Sequence, residues 1–211
     1  MGQKTNLASD AEYFLTLQTQ TGWGRVLARF EEWIGVQNGW LALDVGCGPG
    51  LLPGLLANRG ALVFGVDHDP DMFFPTPLHP ELAVADVFFL PFPTSHFDLI
   101  SASNLLFLLP NPAAAVKEMC RALKSGGRLA MLNPSAQLTV AAATELADQR
   151  GLTGITRDTL LNWAIRAESH FRWSALEIRI LFEKTGLNLE KTETIMGPGF
   201  AHLAMGTKER L

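Results

Sequence analysis

Leu43-Asp44-Val45-Gly46-Cys47-Gly48-Pro49-Gly50 is the stretch on which the fold turns. A short apolar run, Leu41–Val45, stops on glycines at alternate positions and passes into the helix-like Leu51-Leu52. Glycines at 46, 48 and 50 permit left-handed backbone in a strand-to-helix turn, and they let a ligand approach where a Cβ would hold it away. In an open α/β sheet such a turn lies at the carboxyl ends of the strands, where ligands bind beside the topological switch point. A tight turn with no ligand explains the glycines as well, until the neighbouring strands are read.

Those strands end on acids. Asp67 closes Gly65-Val66-Asp67-His68, placing a carboxylate where it can accept both hydroxyls of a ribose. Asp86 closes Val84-Ala85-Asp86-Val87, within reach of a purine amino group. Either aspartate alone reads as a solvated loop acid. A glycine turn and two acids at successive strand ends describe a nucleoside lying across the sheet edge. Leu51 falls where a dinucleotide fingerprint needs its third glycine, and the turn lacks the Lys-Ser/Thr pair of a phosphate-binding loop. A pyrophosphate therefore has no prepared seat.

Outward from this point, strand-like and helix-like segments alternate. Ala61–Val66, Glu81–Ala85, Phe97–Ala102 and Arg128–Leu132 follow Leu41–Val45 as runs with the apolar character of a parallel sheet buried on both faces. Asn111-Pro112 supplies an N-cap and a first-turn proline. Val116, Met119, Cys120 and Leu123 then recur at helical spacing, with Lys124 and Gly126 as an expected helix end. Ser174-Ala175-Leu176-Glu177 is a capping box for a helix that Gly186 closes. Leu187–Ile195 and Phe200–Met205, joined by Met196-Gly197-Pro198-Gly199, form an antiparallel hairpin, because so short a loop permits nothing else. The expected fold is α/β: a doubly wound, mostly parallel, seven-stranded Rossmann-like sheet ending in this hairpin. Residues 1–39 form an N-terminal helical lid, with an amphipathic stretch Ala11–Ile34 interrupted near Thr21-Gly22. Residues 134–173 form a helical cap insertion within the same single domain.

With 211 residues the chain can close a core without metal or disulfide. Its charged fraction of 18%, below the roughly 25% of average soluble domains, and its 47% hydrophobic content exclude a disordered tail. A net charge of -4 lacks the basic footprint of a nucleic-acid binder. No run is long and apolar enough for a membrane span, and Met1–Asn6 has no apolar signal core, so a cytoplasmic location is expected. Cys47 and Cys120 match no metal or redox spacing, and no metal site is expected. Nothing in the sequence separates monomer from homodimer.

Leu43–Gly50, Gly65–Met72, Ala85–Pro93 with Phe97-Asp98-Leu99-Ile100, and Leu123–Leu132 together resemble the successive motifs of class I S-adenosylmethionine-dependent methyltransferases. The nearest flavour is the small-molecule branch that includes ubiquinone/menaquinone-biosynthesis enzymes. The resemblance runs from about Leu41 to Asn133, is weaker through the hairpin and is silent in the cap. It implies that Asp44, Gly46, Cys47 and Gly48, with Gly50 completing the turn, surround the methionine part of S-adenosylmethionine. It implies further that Asp67 holds the ribose, His68 flanks the adenine, Asp86 with Val87 reads its amino edge, and Ser103 and Asn104 border the sulfonium and the acceptor. The implied product is S-adenosylhomocysteine. Val87-Phe88-Phe89 and Leu105–Leu109 depart from the family pattern toward a more apolar pocket, and the second departure removes a histidine pair that many members carry.

Methyl transfer from a sulfonium needs alignment and exclusion of water more than a dedicated base. If Thr159–Trp173 is one helix, Arg166, His170 and Trp173 share a face that, with Trp163, looks down on the acceptor, and His170 is the candidate base. A solvated face with packed tryptophans explains the same residues. Tyr13, Thr21 and Trp23 are candidates to close over the cofactor, where an aromatic face suits a sulfonium. Simple helix packing would serve them equally. The leading expectation is methyl transfer to a small, partly apolar acceptor. The alternatives are a nicotinamide-dependent oxidoreductase and a non-catalytic S-adenosylmethionine-binding protein.

Overall fold

Seven strands, in chain order β1 Leu41–Val45, β2 Leu62–Asp67, β3 Glu81–Val84, β4 Phe97–Ser103, β5 Leu123–Pro134, β6 Leu187–Ile195 and β7 Ala201–Lys208, form one sheet in the order β3-β2-β1-β4-β5-β7-β6. β3, β2, β1, β4 and β5 run parallel, and β7 is antiparallel to both β5 and β6. The expected α/β architecture with its terminal hairpin is thus present. It is seen in a computed structural model that describes residues 10–73 and 81–209. Met1–Asn6, read above for a signal core, lies outside the described residues.

Helices cover both faces, which is what strands apolar on both sides require. Val26, Phe30 and Ile34 of α2 (Trp23–Ile34) and Leu52 and Leu56 of α3 (Leu51–Asn58) pack on Ala42, Leu99, Ala130 and Met205. On the other face, Val116 and Met119 of α4 (Pro112–Ala122) join Ile178 and Phe182 of α7 (Ala175–Thr185) against Leu43, Val45, Ile100 and Met131. The punctuation read from the sequence operates locally. The Asn111 side chain accepts from the Ala114 N–H, the Ser174–Glu177 capping box closes in both directions, and Gly186 ends α7 in the left-handed region at φ 87°.

The strand ends differ from expectation by a few residues, most of all where α4 meets β5. α4 stops at Ala122 rather than near Lys124–Gly126, and β5 begins at once with Leu123 paired to Phe97. The register then breaks before Leu99↔Arg128. Gly126 has φ 76°, and a Cβ on Gly127 would lie 2.9 Å from the Lys124 carbonyl and 3.0 Å from that of Phe97. These glycines serve an irregularity in a long strand, a role that mimics a helix cap in sequence.

The cap also departs from the single helix drawn through Thr159–Trp173. It consists of α5 (Val140–Gln149) and α6 (Gly154–Glu168), sharing a small core of Leu138, Ala143, Ala147, Leu160, Ala164 and Phe200. α6 ends at Glu168 because side chains take its last carbonyls: Ser169 Oγ donates to Ile165 O at 3.1 Å, and His170 Nδ1 lies 2.8 Å from Arg166 O. The Phe171 N–H turns to Phe107 O, and Trp173 forms an isolated bridge with Ser135. Arg166, His170 and Trp173 therefore do not share a helix face. Among the described residues no helix is long and apolar enough to cross a membrane, and no group of three or more His, Cys, Asp or Glu could hold a metal ion.

Candidate active site

The glycine turn is tied down by backbone at its start. Gly46 and Cys47 both donate to the Val66 carbonyl, at 2.8 and 3.0 Å, so the chain leaving β1 leans over the end of β2. Gly46, Gly48 and Gly50 have φ of 71°, 51° and 90°, a run that side chains with a Cβ adopt only under strain. Gly50 then caps α3, whose N-terminal backbone N–H groups face the turn. A Cβ on Gly48 would meet nothing within 4 Å, which leaves the flank of the turn open to a ligand. One on Gly46 would press on Leu105 at 3.1 Å. Leu105, read above only as part of an apolar run, therefore roofs the turn.

Asp67, the last residue of β2, braces this turn: Oδ2 accepts from Gly48 N–H at 2.9 Å and Oδ1 from Asp69 N–H at 3.2 Å. The His68 ring nitrogen lies 3.2 Å from Oδ1, with the side chain 86% exposed. Beneath the turn Asp44 is buried, and the Ser101 hydroxyl donates to it at 2.6 Å. Burial raises the Asp44 pKa to about 7, against the lowering effect of that hydrogen bond, and the Asp67 charge adds to the rise. Burial first, then Asp44 and Asp67, push the Cys47 thiol far up, so it stays protonated and unreactive at neutral pH. Ser101 was missed in the sequence, where its signal was a hydroxyl at a fully buried position of β4, in register with Asp44.

The adenine-side candidates occupy the loop after β3. Asp86 sits two residues beyond the strand, exposed, with Oδ1 accepting from Phe88 N–H at 2.9 Å, while Val87 is buried. On the other side of β1, Ser103 ends β4 and Asn104 follows with φ 53°. Asn104 N–H donates to Leu132 O at 2.7 Å, and its Oδ1 accepts from Trp163 Nε1 at 3.1 Å. Next to Leu132, Asn133 is fully buried: Oδ1 accepts from Phe107 N–H, and Nδ2 has no partner among the described residues.

The N-terminal helices meet the cap above this edge. α1 (Asp10–Gln20) touches the short turn Pro70–Met72 after β2 and also α6. Trp23 packs edge-on to Trp163, ring centroids 5.2 Å apart. Tyr13 is 38% exposed and meets Phe14, so it does not join the Trp23–Trp163 pair. His170 is exposed, edge-on to Phe107, at the rim of a cavity of about 580 Å3 lined also by Leu108, Leu109, Glu168 and Phe171. Its contacts share no residue with the glycine turn. The structure thus brings Asp44, the three glycines and Asp67 into one braced unit, sets Asn104 under the tryptophan pair, and leaves His170 apart.

A methyltransferase-domain family model matches residues 43–131. The ubiquinone/menaquinone biosynthesis C-methyltransferase of Laribacter hongkongensis is 43% identical over 77 residues, 36% of this chain and 29% of that protein. A ubiquinone biosynthesis O-methyltransferase of Coxiella burnetii is 35% identical over 94 residues, 41% of this chain and 40% of that one. The chain spans well under half the length of these curated relatives. Among solved structures, a chain of the complex between the Haloferax volcanii Trm112 methyltransferase activator and a methyltransferase superposes with a TM-score of 0.70 at 18% identity, covering 97% of this chain and 99% of that one. The magnesium protoporphyrin IX methyltransferase of Synechocystis, solved with bound S-adenosylhomocysteine, gives 0.65 at 18% identity, covering 99% and 90%. These likenesses show the fold, and the family model falls on the segment that carries the class I motifs.

Proposed function

Taking residues 43–131 as a methyltransferase domain, we propose that this chain binds S-adenosylmethionine along the carboxyl edge of its sheet and methylates a small, partly apolar acceptor. The observation that carries the reading is the Asp67–Gly48 hydrogen bond at 2.9 Å, which fastens the second-strand acid to a turn of three left-handed glycines. The turn suits the cofactor, since the flank of Gly48 is open. When bound, S-adenosylmethionine supplies a methyl group whose bond to sulfur breaks as a lone pair of the acceptor displaces it in line, leaving neutral S-adenosylhomocysteine.

The chain's own residues hold and exclude. In this reading Asp67 retains lone pairs for the ribose hydroxyls after accepting from Gly48 and Asp69. Asp44, Gly46, Cys47, Gly48 and Gly50 surround the methionine moiety, largely through backbone, while His68, Asp86 and Val87 border the adenine. Ser103 and Asn104 sit at the methyl end, and Tyr13 and Trp23 belong to the lid that excludes water. His170 remains the candidate to take the acceptor's proton only for an acceptor that extends from the methyl end into the apolar cavity beside Leu108 and Phe171, at whose rim it stands. Orientation of this kind is worth roughly 7–11 kcal/mol of barrier, so a missing triad is no obstacle. We assign the acceptor to the same broad class as the relatives' small-molecule substrates, the chain itself to the cytoplasm, and its working form to a monomer or homodimer.

Calorimetric titration with S-adenosylmethionine, S-adenosylhomocysteine and NADH tests the cofactor, and isotopically labelled methyl transfer into a metabolite extract tests the reaction. Heat with NADH alone would replace the reading with an oxidoreductase. Heat with S-adenosylmethionine but no labelled product in any extract would leave a binding protein.

A further inference from the structure

We infer that Trp163 is a positioning residue: its indole N–H sets the Asn104 carboxamide at the methyl end of the cleft, and its ring ties that setting to the N-terminal helices. The inference rests on the cofactor reading above. An indole nitrogen can only donate, so its 3.1 Å contact with Asn104 fixes the amide oxygen toward the cap. The Asn104 NH2 then has no partner among the described residues and is left for whatever occupies the cleft. The backbone is fixed as well, by the Leu132 carbonyl at 2.7 Å and a left-handed φ of 53° that asparagine tolerates.

Trp163 is placed to transmit such a setting. It packs against all three apolar clusters, those of the two sheet faces and of the cap, and Trp23 of α2 lies edge-on to it. A donor at this junction makes the lid, the cap and the end of β4 respond together to one ligand. Phenylalanine at 163 keeps an aromatic ring beside Trp23 but loses the donor. Glycine at 104 keeps the left-handed backbone but loses the amide.

The test uses the full chain with nitrogen-15 in its five tryptophan indoles. Trp163→Phe identifies the Trp163 indole signal by its loss. Asn104→Gly should move that signal upfield, and S-adenosylhomocysteine added to the wild type should shift it. Both variants should bind S-adenosylhomocysteine roughly threefold to tenfold more weakly, the worth of one hydrogen bond. If Trp163→Phe does not fold, the indole signal displaced by Asn104→Gly serves instead. An Asn104→Gly spectrum with all indole signals unmoved overturns the assignment. So does calorimetric binding of S-adenosylhomocysteine that leaves the Trp163 signal in place, and that result leaves the cofactor reading standing. Absence of any heat removes the cofactor reading and this assignment with it.

Discussion

Ser101 and Asp44 face each other as register partners on β4 and β1, and the hydroxyl donates to the carboxylate at 2.6 Å inside the sheet. One hydrogen bond does not offset burial, and the Asp44 pKa rises from 3.8 to about 7. Between those values the native state holds a proton that the unfolded chain releases. Stability must therefore fall as pH rises from about 4 to 7, with no further change from this group above that window. The span is on the order of a few kcal/mol. Asp44→Asn retains an acceptor for Ser101 and removes the titration. Urea unfolding at pH 5 and pH 8 should show a wild-type loss that Asp44→Asn lacks; parallel losses in both proteins would refute it.

The same carboxylate should link pH to ligand affinity. A cation near Asp44 favours its ionised form, so S-adenosylmethionine binding at pH 6 should release protons. Calorimetry in two buffers of different ionisation enthalpy reads this directly as a buffer-dependent heat. Asp44→Asn should abolish the difference. Identical wild-type heats in both buffers would dissociate Asp44 from the cofactor.

Asp67 accepts two backbone N–H groups, from Gly48 and Asp69, one on each oxygen. An asparagine has only one accepting end, so Asp67→Asn leaves one of those donors unpaired at a cost of about 1 kcal/mol. The glycine turn then loses its brace, and under the proposed function a ribose would lose a charged acceptor. We expect a lower urea midpoint together with at least about a tenfold weaker dissociation constant for S-adenosylmethionine, equivalent to about 1.4 kcal/mol. Unchanged affinity in a folded Asp67→Asn protein would remove Asp67 from the cofactor site.

Much of this is legible in the sequence. The glycine turn, the acid that ends β2, the Ser174 capping box and the terminal hairpin are local: spacing and residue type determine them within a few positions. The missed features depend on partners far away in sequence. α6 ends at Glu168 because Ser169 and His170 compete for its carbonyls while Phe171 is drawn to Phe107. Lys124 with Gly126 reads as a helix end because the irregularity that Gly126 and Gly127 serve is defined by Phe97, on another strand. The bond from Trp163 to Asn104 spans 59 positions, and no periodicity encodes it.

Gly65 lies in the middle of β2, without a left-handed φ, and is required for space. A Cβ there would stand 2.5 Å from Leu82 Cδ2 and 2.9 Å from Cys47 Sγ. Gly65→Ala should cost about 1–3 kcal/mol of stability by overpacking and should disturb the turn through Cys47. Adding Leu82→Ala removes the nearer clash and should recover part of the loss. A double variant no more stable than Gly65→Ala would place the strain elsewhere.

Gly54 is the contrasting case. It lies inside α3, four residues after the turn, and donates normally to the Gly50 carbonyl at 3.0 Å. A Cβ at this position would meet nothing within 4 Å, and its φ is not left-handed. Neither close packing nor backbone geometry therefore demands glycine, and its helical conformation is held against a large entropy loss. Gly54→Ala should stabilise the protein by roughly 0.5–1 kcal/mol, raising the melting temperature by about 1–4 °C for a chain of this size. Affinity for S-adenosylmethionine should be unchanged, because the open side of the residue faces no described neighbour. A stabilised variant that binds more weakly would show that the space beside Gly54 is kept for the ligand. A destabilised one would show that α3 depends on a constraint its contacts do not contain.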